Sequence, residues 1–268
     1  MEKKTVALLG CGALGSILAE GVQRRLGDAY TLAGILCSTP ARSRAAGDRF
    51  SCKGYQSLEE LLAERPDYVA EAATGEAVRA CGSAVLRGGS DLILLSAGAL
   101  ADGTLRGDLE AAARAGGAHL WIASGAIGGF DLMRTMALMG PTDIGVDSVK
   151  APASLEGAPF LKGRRLGDAP CRIFDGTVEE AIAGFPKNVN VAVAAALAAA
   201  GVEQARARID SQPGLTENSH RIALHNTSVS ASLEIASRPD PENPRSSSLA
   251  AWSVLALLRE LASPLRFF

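Results

Sequence analysis

Only three imidazoles, His119, His220 and His225, occur in this chain of 268 residues. Histidine is the side chain whose ordinary pKa lies nearest neutrality, so it is the first candidate for a general acid/base. His220, in Glu217-Asn218-Ser219-His220-Arg221, leads the three. A single histidine in a strand also serves as a packing residue, and spacing alone leaves His225 and His119 open behind it. His119 is expected to pack inside a buried strand. Three histidines are too few for a His-rich metal site, and the five cysteines, Cys11, Cys37, Cys52, Cys81 and Cys171, form no C-x-x-C pair. No metal is expected, and an odd, scattered cysteine count fits reduced thiols better than a disulfide framework.

A second chemistry-bearing pattern is Gly10-Cys11-Gly12-Ala13-Leu14-Gly15, a G-x-G-x-x-G. It follows a strand-like run and opens a helical one, which is the context in which this motif binds a dinucleotide. Gly10 allows the tight turn, Gly12 lets the backbone approach a pyrophosphate, and Gly15 lets helix and strand pack closely. The anion would sit at the helix N-terminus, among free N–H groups. The bland alternative is a glycine-rich turn with no ligand. At the end of the second strand, where an acidic residue would read the ribose of NAD, stands Cys37-Ser38-Thr39. Arg42 and Arg44 follow, placed either to contact a 2′-phosphate or simply to be solvated at a helix start. NADP is therefore expected to serve at least as well as NAD.

Two further segments carry donors. Ser124-Gly125-Ala126-Ile127-Gly128-Gly129 follows the fifth predicted strand, at the sheet edge where open α/β folds bind ligands. Phe185-Pro186-Lys187-Asn188-Val189-Asn190 precedes a small-residue helix. Lys187 offers a cation for a carboxylate, and the asparagines either cap the helix or bind a carboxamide.

These residues need a scaffold, and the sequence supplies one. Hydrophobic residues make up 47% and charged residues 21%, enough for a sizeable core. Net charge is -2, with no basic excess to hold nucleic acid. No signal peptide precedes the first strand, and the longest apolar stretch, Val189 to Val202, is too short and Ala-rich to span a membrane. The expectation is a cytoplasmic protein. Up to residue 123, apolar strand-like runs (Thr5 to Leu9, Leu32 to Cys37, Tyr68 to Glu71, Asp91 to Ser96, His119 to Ala123) alternate with helical patterns. That is the signature of a doubly wound parallel sheet. Beyond it the pattern shifts. Ala205 to Ser211, Ser219 to His225 and Ser228 to Ala236 read as antiparallel strands, Arg238 to Arg245 as a proline-rich loop, and Ser247 to Leu261 as an amphipathic helix. The expected fold is α/β, a Rossmann sheet over residues 1–123 with a smaller α+β domain over 124–244. Residues 245–268 form the closing helix.

Taken together the motifs resemble the L-aspartate dehydrogenase family. The matching stretches are Gly10 to Gly15, Ala123 to Gly129, Phe185 to Ala192, Asn218-Ser219-His220 and Pro241 to Ala251, in that order along nearly the whole chain. The first is generic and the other four are specific. The resemblance implies NAD- or NADP-dependent oxidative deamination of L-aspartate to iminoaspartate, then oxaloacetate and ammonia, with a link to NAD biosynthesis. It maps the catalytic histidine onto His220. It maps cofactor contacts onto the glycine turn (Gly10, Gly12, Ala13, Leu14, Gly15), onto Ser124 to Ala126 and onto Asn190, beside Ser38 and Arg42 from the sequence itself. It returns the closing helix to the first domain and implies a homo-oligomer, commonly a dimer. For the two substrate carboxylates Lys187 is the best sequence candidate, with Ser124 and the helix start after Asn188 as further donors. Rival readings are another two-domain dehydrogenase or reductase, similar to homoserine dehydrogenase or dihydrodipicolinate reductase, and a non-catalytic NAD(P)-binding sensor.

Overall fold

The first half of the chain folds as β1 (Lys4–Leu9), α1 (Ala13–Arg25), β2 (Tyr30–Leu36), α2 (Pro40–Phe50), β3 (Lys53–Tyr55), α3 (Leu58–Ala63), β4 (Tyr68–Glu71), α4 (Gly75–Arg87), β5 (Asp91–Leu94), α5 (Gly103–Gly116) and β6 (Leu120–Ile122). Then come α6 (Phe130–Met139), β7 (Asp143–Lys150), α7 (Pro152–Leu155), β8 (Cys171–Thr177), α8 (Val178–Gly184), α9 (Asn190–Ala198), β9 (Arg206–Ser211), β10 (Asn218–His225) and β11 (Ser230–Ser237). A short pair, β12 (Pro239–Asp240) and β13 (Asn243–Ser247), leads into α10 (Leu249–Ala262). The structure is a computed structural model and describes residues 2–186, 188–240 and 243–267. Two units emerge, residues 1–125 with 248–268, and residues 126–247.

In the first unit six parallel strands run in the order β3-β2-β1-β4-β5-β6. The strands are apolar because helices bury them from both faces: Val6, Ala7, Leu8, Val69, Ala70 and Ile93 are fully buried. Helix starts follow local capping chemistry. Thr39, Ser57, Thr74 and Asp102 each accept a backbone N–H of the helix they open. Helix α10 packs on α1, with Ala251, Val254, Leu255 and Leu258 buried and Leu255 filling the notch left by Gly21. Tyr30 fixes it from the sheet by donating to the Leu258 carbonyl at 2.7 Å.

Two elements of this unit carry no hydrophobic pattern in the sequence. Helix α2 buries Ser43, Ala46, Gly47 and Phe50, mostly small residues, so it shows no hydrophobic period. The three-residue strand β3 is too short to register as a pattern. The sheet consequently has six strands where five were expected. His119 also departs from expectation. It precedes β6 rather than lying within it, its side chain is 70% exposed, and its Nδ1 lies 3.3 Å from Asp91.

The second unit holds a five-stranded mixed sheet of order β11-β10-β7-β9-β8. Strand β10 pairs antiparallel with β7 and β11, but β9 runs parallel to β7, contrary to the antiparallel expectation. The cause is topological: β8 takes the edge, and α8 and α9 form a crossover that brings β9 back between β7 and β8. One face is ionic, with Asp147, Asp175 and Asp210 paired to Arg172, Arg206 and Arg208. The other is buried, and α9 packs against β7 on it. Phe160, Phe174 and Phe185 form a ring cluster at centroid separations of 5.1–5.7 Å. A capping box, Thr177 with Glu180, starts α8. The expected loop at Arg238 to Arg245 instead contains the paired strands β12 and β13.

Candidate active site

In the first unit the turn after β1 opens a cleft of about 370 Å³. Gly10, Gly12, Ser38 and Arg42 all line it, together with residues 72–74 after β4. Gly10 has φ +93°, and a Cβ there would lie 2.8 Å from the Ala72 carbonyl oxygen, so only glycine closes this turn. A Cβ on Gly15 would meet the Gly10 carbonyl at 2.3 Å, which seats α1 directly on the turn. Gly12 has nothing within 4 Å of its Cβ position, leaving open space at the start of α1. Ala13 and Leu14 form the first turn of that helix, which has neither a side-chain cap nor an acidic residue in its first turn. Free N–H groups beside an open, glycine-lined cleft fit the pyrophosphate of a dinucleotide.

The far end of the cleft has no carboxylate among its lining residues. Arg42 donates to the Ser38 hydroxyl at 3.4 Å. Arg44 is not among the lining residues and instead donates to Gln56 at 2.7 Å. The cleft floor is braced by Glu71 at the end of β4. Its buried carboxylate accepts the backbone N–H groups of Ala73, Leu95 and Ser96 and the Ser96 hydroxyl, at 2.7–3.3 Å. Burial pushes the Glu71 carboxyl above its ordinary value, against the pull of those donors.

Ser124 and Gly125 follow β6, and the Gly125 N–H donates to Ser253 of α10 at 3.0 Å. Ala126 begins the second unit.

The buried face of the second unit changes character along its strands. At one end it is apolar, with Ile144, Val146, Ile222 and Leu224. At the other it is polar. His220 on β10 is 3% exposed and lies opposite Ser148 on β7, with Nδ1 2.9 Å from the Ser148 hydroxyl. Burial, and secondarily the nearby Lys150 charge, push the His220 imidazole down to about 3. One row further, at the strand ends, Lys150 pairs with Ser211 on β9, and Asn218 with Ser237 on β11. The register that sets Ser219 opposite Val149 places Asn218 beside Lys150. A single row across four strands therefore reads Ser211, Lys150, Asn218, Ser237. Lys150 is 5% exposed, and burial pushes its ammonium down to about 8. The Ser211 and Ser237 hydroxyls are buried without partners.

The remaining sequence candidates are dispersed. His225 sits at the opposite end of β10, exposed and bonded to Ser230 at 2.8 Å. Asn190 is the first, exposed residue of α9, and Asn188 donates to the Ser154 carbonyl at 3.1 Å. Neither asparagine caps α9, whose N-cap is Val189 with no side-chain bond, because the chain enters the helix one residue after Asn188 has turned to Ser154. Lys187 lies outside the described residues. Ser148 and Lys150 escaped sequence reasoning, yet a signal was present. In Ile144-Gly145-Val146-Asp147-Ser148-Val149-Lys150 the lysine is in phase with the apolar face. Among the described residues no cluster of His, Cys, Asp and Glu could hold a metal ion, and no helix is long and apolar enough to cross a membrane.

Known proteins place this architecture. A family model described as aspartate dehydrogenase, C-terminal, matches residues 131–261. One described as homoserine dehydrogenase, NAD binding domain, matches residues 10–123. The chain is 36% identical over 267 residues to the L-aspartate dehydrogenase of Ruegeria pomeroyi, covering 99% of this chain and 95% of that protein. It is 31% identical over 269 residues to that of Methanosarcina acetivorans, covering 97% and 98%. Among solved structures, aspartate dehydrogenase from Thermotoga maritima superposes with a TM-score of 0.73 at 22% identity, covering 100% of both chains. At 31–36% identity over nearly their full length, the chain belongs to the L-aspartate dehydrogenase family of NAD(P)-dependent amino-acid dehydrogenases.

Proposed function

We propose that this protein oxidises L-aspartate to iminoaspartate, which water converts to oxaloacetate and ammonia, with His220 as the acid/base. One observation carries the reading: a buried, neutral imidazole held by a single hydroxyl, in a chain similar end to end to L-aspartate dehydrogenases. Bound NAD(P)+ supplies the hydride acceptor for the substrate Cα. The glycine turn and the first turn of α1 hold its pyrophosphate, and Arg42 and Ser38 receive the adenosine end.

At neutral pH His220 carries no charge in the free protein. In the tautomer whose Nδ1–H donates to the Ser148 oxygen, the Nε2 lone pair is the one available to a proton. That tautomer lets His220 take a proton from the substrate ammonium before hydride departs, or from water attacking the imine. A free-state value near 3 makes the imidazole a weak base, and a dicarboxylate beside it raises that value by stabilising imidazolium. Substrate arrival thus switches the base on.

The test is NAD(P)H formation across a panel of amino acids. L-Aspartate should be turned over and L-homoserine should not. His220→Ala should lower kcat by about 10²-fold or more, the usual scale for a positioned acid/base, while NAD(P)H still binds. Turnover of L-homoserine with L-aspartate inert would replace this reading by that of the other dehydrogenase. Cofactor binding with no turnover of any substrate would favour a sensor.

A further inference from the structure

The polar row at the end of the second sheet contains more donors than the protein itself uses. Lys150 is nine-tenths buried, and among the described residues no carboxylate and no hydrogen bond engages its ammonium. A charge buried in this way is strongly unfavourable unless something pairs with it. On one side of it lies the orphaned Ser211 hydroxyl, on the other Asn218 and then the orphaned Ser237 hydroxyl. All four residues sit at the same end of the sheet and share a face with Ser148 and His220, one pleat away. Unsatisfied buried donors are rare in folded proteins. Two such hydroxyls in one row with an ammonium describe a receptor for an anion.

We propose that Lys150 binds a carboxylate of the substrate, with the Ser211–Asn218–Ser237 row as its supporting donors. The inference rests on the dicarboxylate reading of the site given above. It assigns to a β7 residue the cationic role that the sequence had suggested for Lys187. It also explains why the row lies beside His220. A carboxylate held on Lys150 stands one residue pair from the imidazole, and its charge is the one that raises the basicity of His220.

The experiment compares the wild type with Lys150→Met and Lys150→Arg. Methionine keeps the length and removes the charge, so the variant is expected to fold, and NADH binding by fluorescence checks that it has. Two readouts are taken: kcat and KM for L-aspartate, and succinate affinity by calorimetry, which needs no turnover. Lys150→Met should raise KM and weaken succinate binding by roughly 30-fold or more, the scale for removing one partner of a buried charge pair. Its kcat should change far less, and Lys150→Arg should recover part of the affinity. Unchanged succinate binding in Lys150→Met overturns the proposal. So does a collapse of kcat with KM and succinate affinity intact, which would make Lys150 a proton carrier instead. A wild type that binds succinate through Lys150 yet leaves L-aspartate unoxidised would sink the aspartate reading while the carboxylate receptor stands.

Discussion

Lys150 and His220 are ionisable groups that the fold buries rather than pairs, and their titration sets part of the stability of the ligand-free protein. Lys150 falls from 10.5 to about 8 on folding. Between those values the unfolded chain holds a proton that the folded chain has released, so stability rises with pH across that window. Below pH 8 both states are protonated, and the buried charge costs about 3 kcal/mol. Lys150→Met is therefore expected to raise the ligand-free Tm at pH 7 by several degrees, roughly the scale for a protein of this size. The gain should shrink as the pH approaches 10.5. A calorimetric scan that shows a lowered Tm would mean the ammonium is satisfied in the native state. His220 works in a lower window. Its folded value of about 3 lies below the ordinary 6.5, so it contributes stability above pH 6.5 that is lost as pH falls toward 3. In the wild type the Tm is expected to decline across that range, and His220→Asn should flatten the decline.

At the scale of elements, three turns at the carboxyl edge of the first sheet line the cleft, those after β1, β2 and β4. Glu71 joins the β4 turn to the β5 turn through four donors. Glu71→Ala removes the acceptor of the part-buried Ala73 and Ser96 N–H groups, at up to about 1 kcal/mol each, while the Leu95 N–H keeps the backbone carbonyl of residue 71. We expect a lower Tm and a weakened NADH affinity with KM for L-aspartate little changed, measured by calorimetry and fluorescence titration. Unaltered NADH binding would separate Glu71 from the cleft. In the β2–α2 turn, Thr39 caps α2 and Pro40 pre-sets its first residue, which aims Arg42 back over Ser38. A guanidinium there with no carboxylate nearby suits a 2′-phosphate. Arg42→Ala should weaken NADP by about tenfold and leave NAD nearly unchanged, the scale of one charge-assisted hydrogen bond. Equal effects on the two cofactors in steady-state kinetics would remove Arg42 from the phosphate site.

For the molecule as a whole, the chain end completes the cofactor unit. Helix α10 contributes Ala251, Val254, Leu255 and Leu258 to the core around α1 and β2. Each buried Val or Leu contributes roughly 1.5–3 kcal/mol, so the helix carries much of that unit's margin. Ending the chain after residue 247 should abolish NADH binding and expose Leu18 and Val22, read as a gain of hydrophobic-dye fluorescence. Retention of native cofactor affinity in the truncated protein would show α10 to be dispensable.

The Rossmann strands and the glycine turn were legible in the sequence because each depends on a short stretch of chain. Strand β1 is an apolar run, and Gly10 to Gly15 is a contiguous motif. Of helix α2 only the start was legible, and strand β3 was not legible at all, because one packs through small residues and the other is three residues long. Nor was the direction of β9, which depends on where the α8–α9 crossover returns the chain. The polar row was the least legible of all. Its members come from four strands, and 87 residues of chain separate Lys150 from Ser237. Period-two phase marks Lys150 as facing inward, but only strand pairing sets Ser211, Asn218 and Ser237 beside it and Ser148 against His220. Local pattern decides which elements form and which face each residue takes. The neighbours of a buried charge, and hence what it can bind, are decided by register between distant strands.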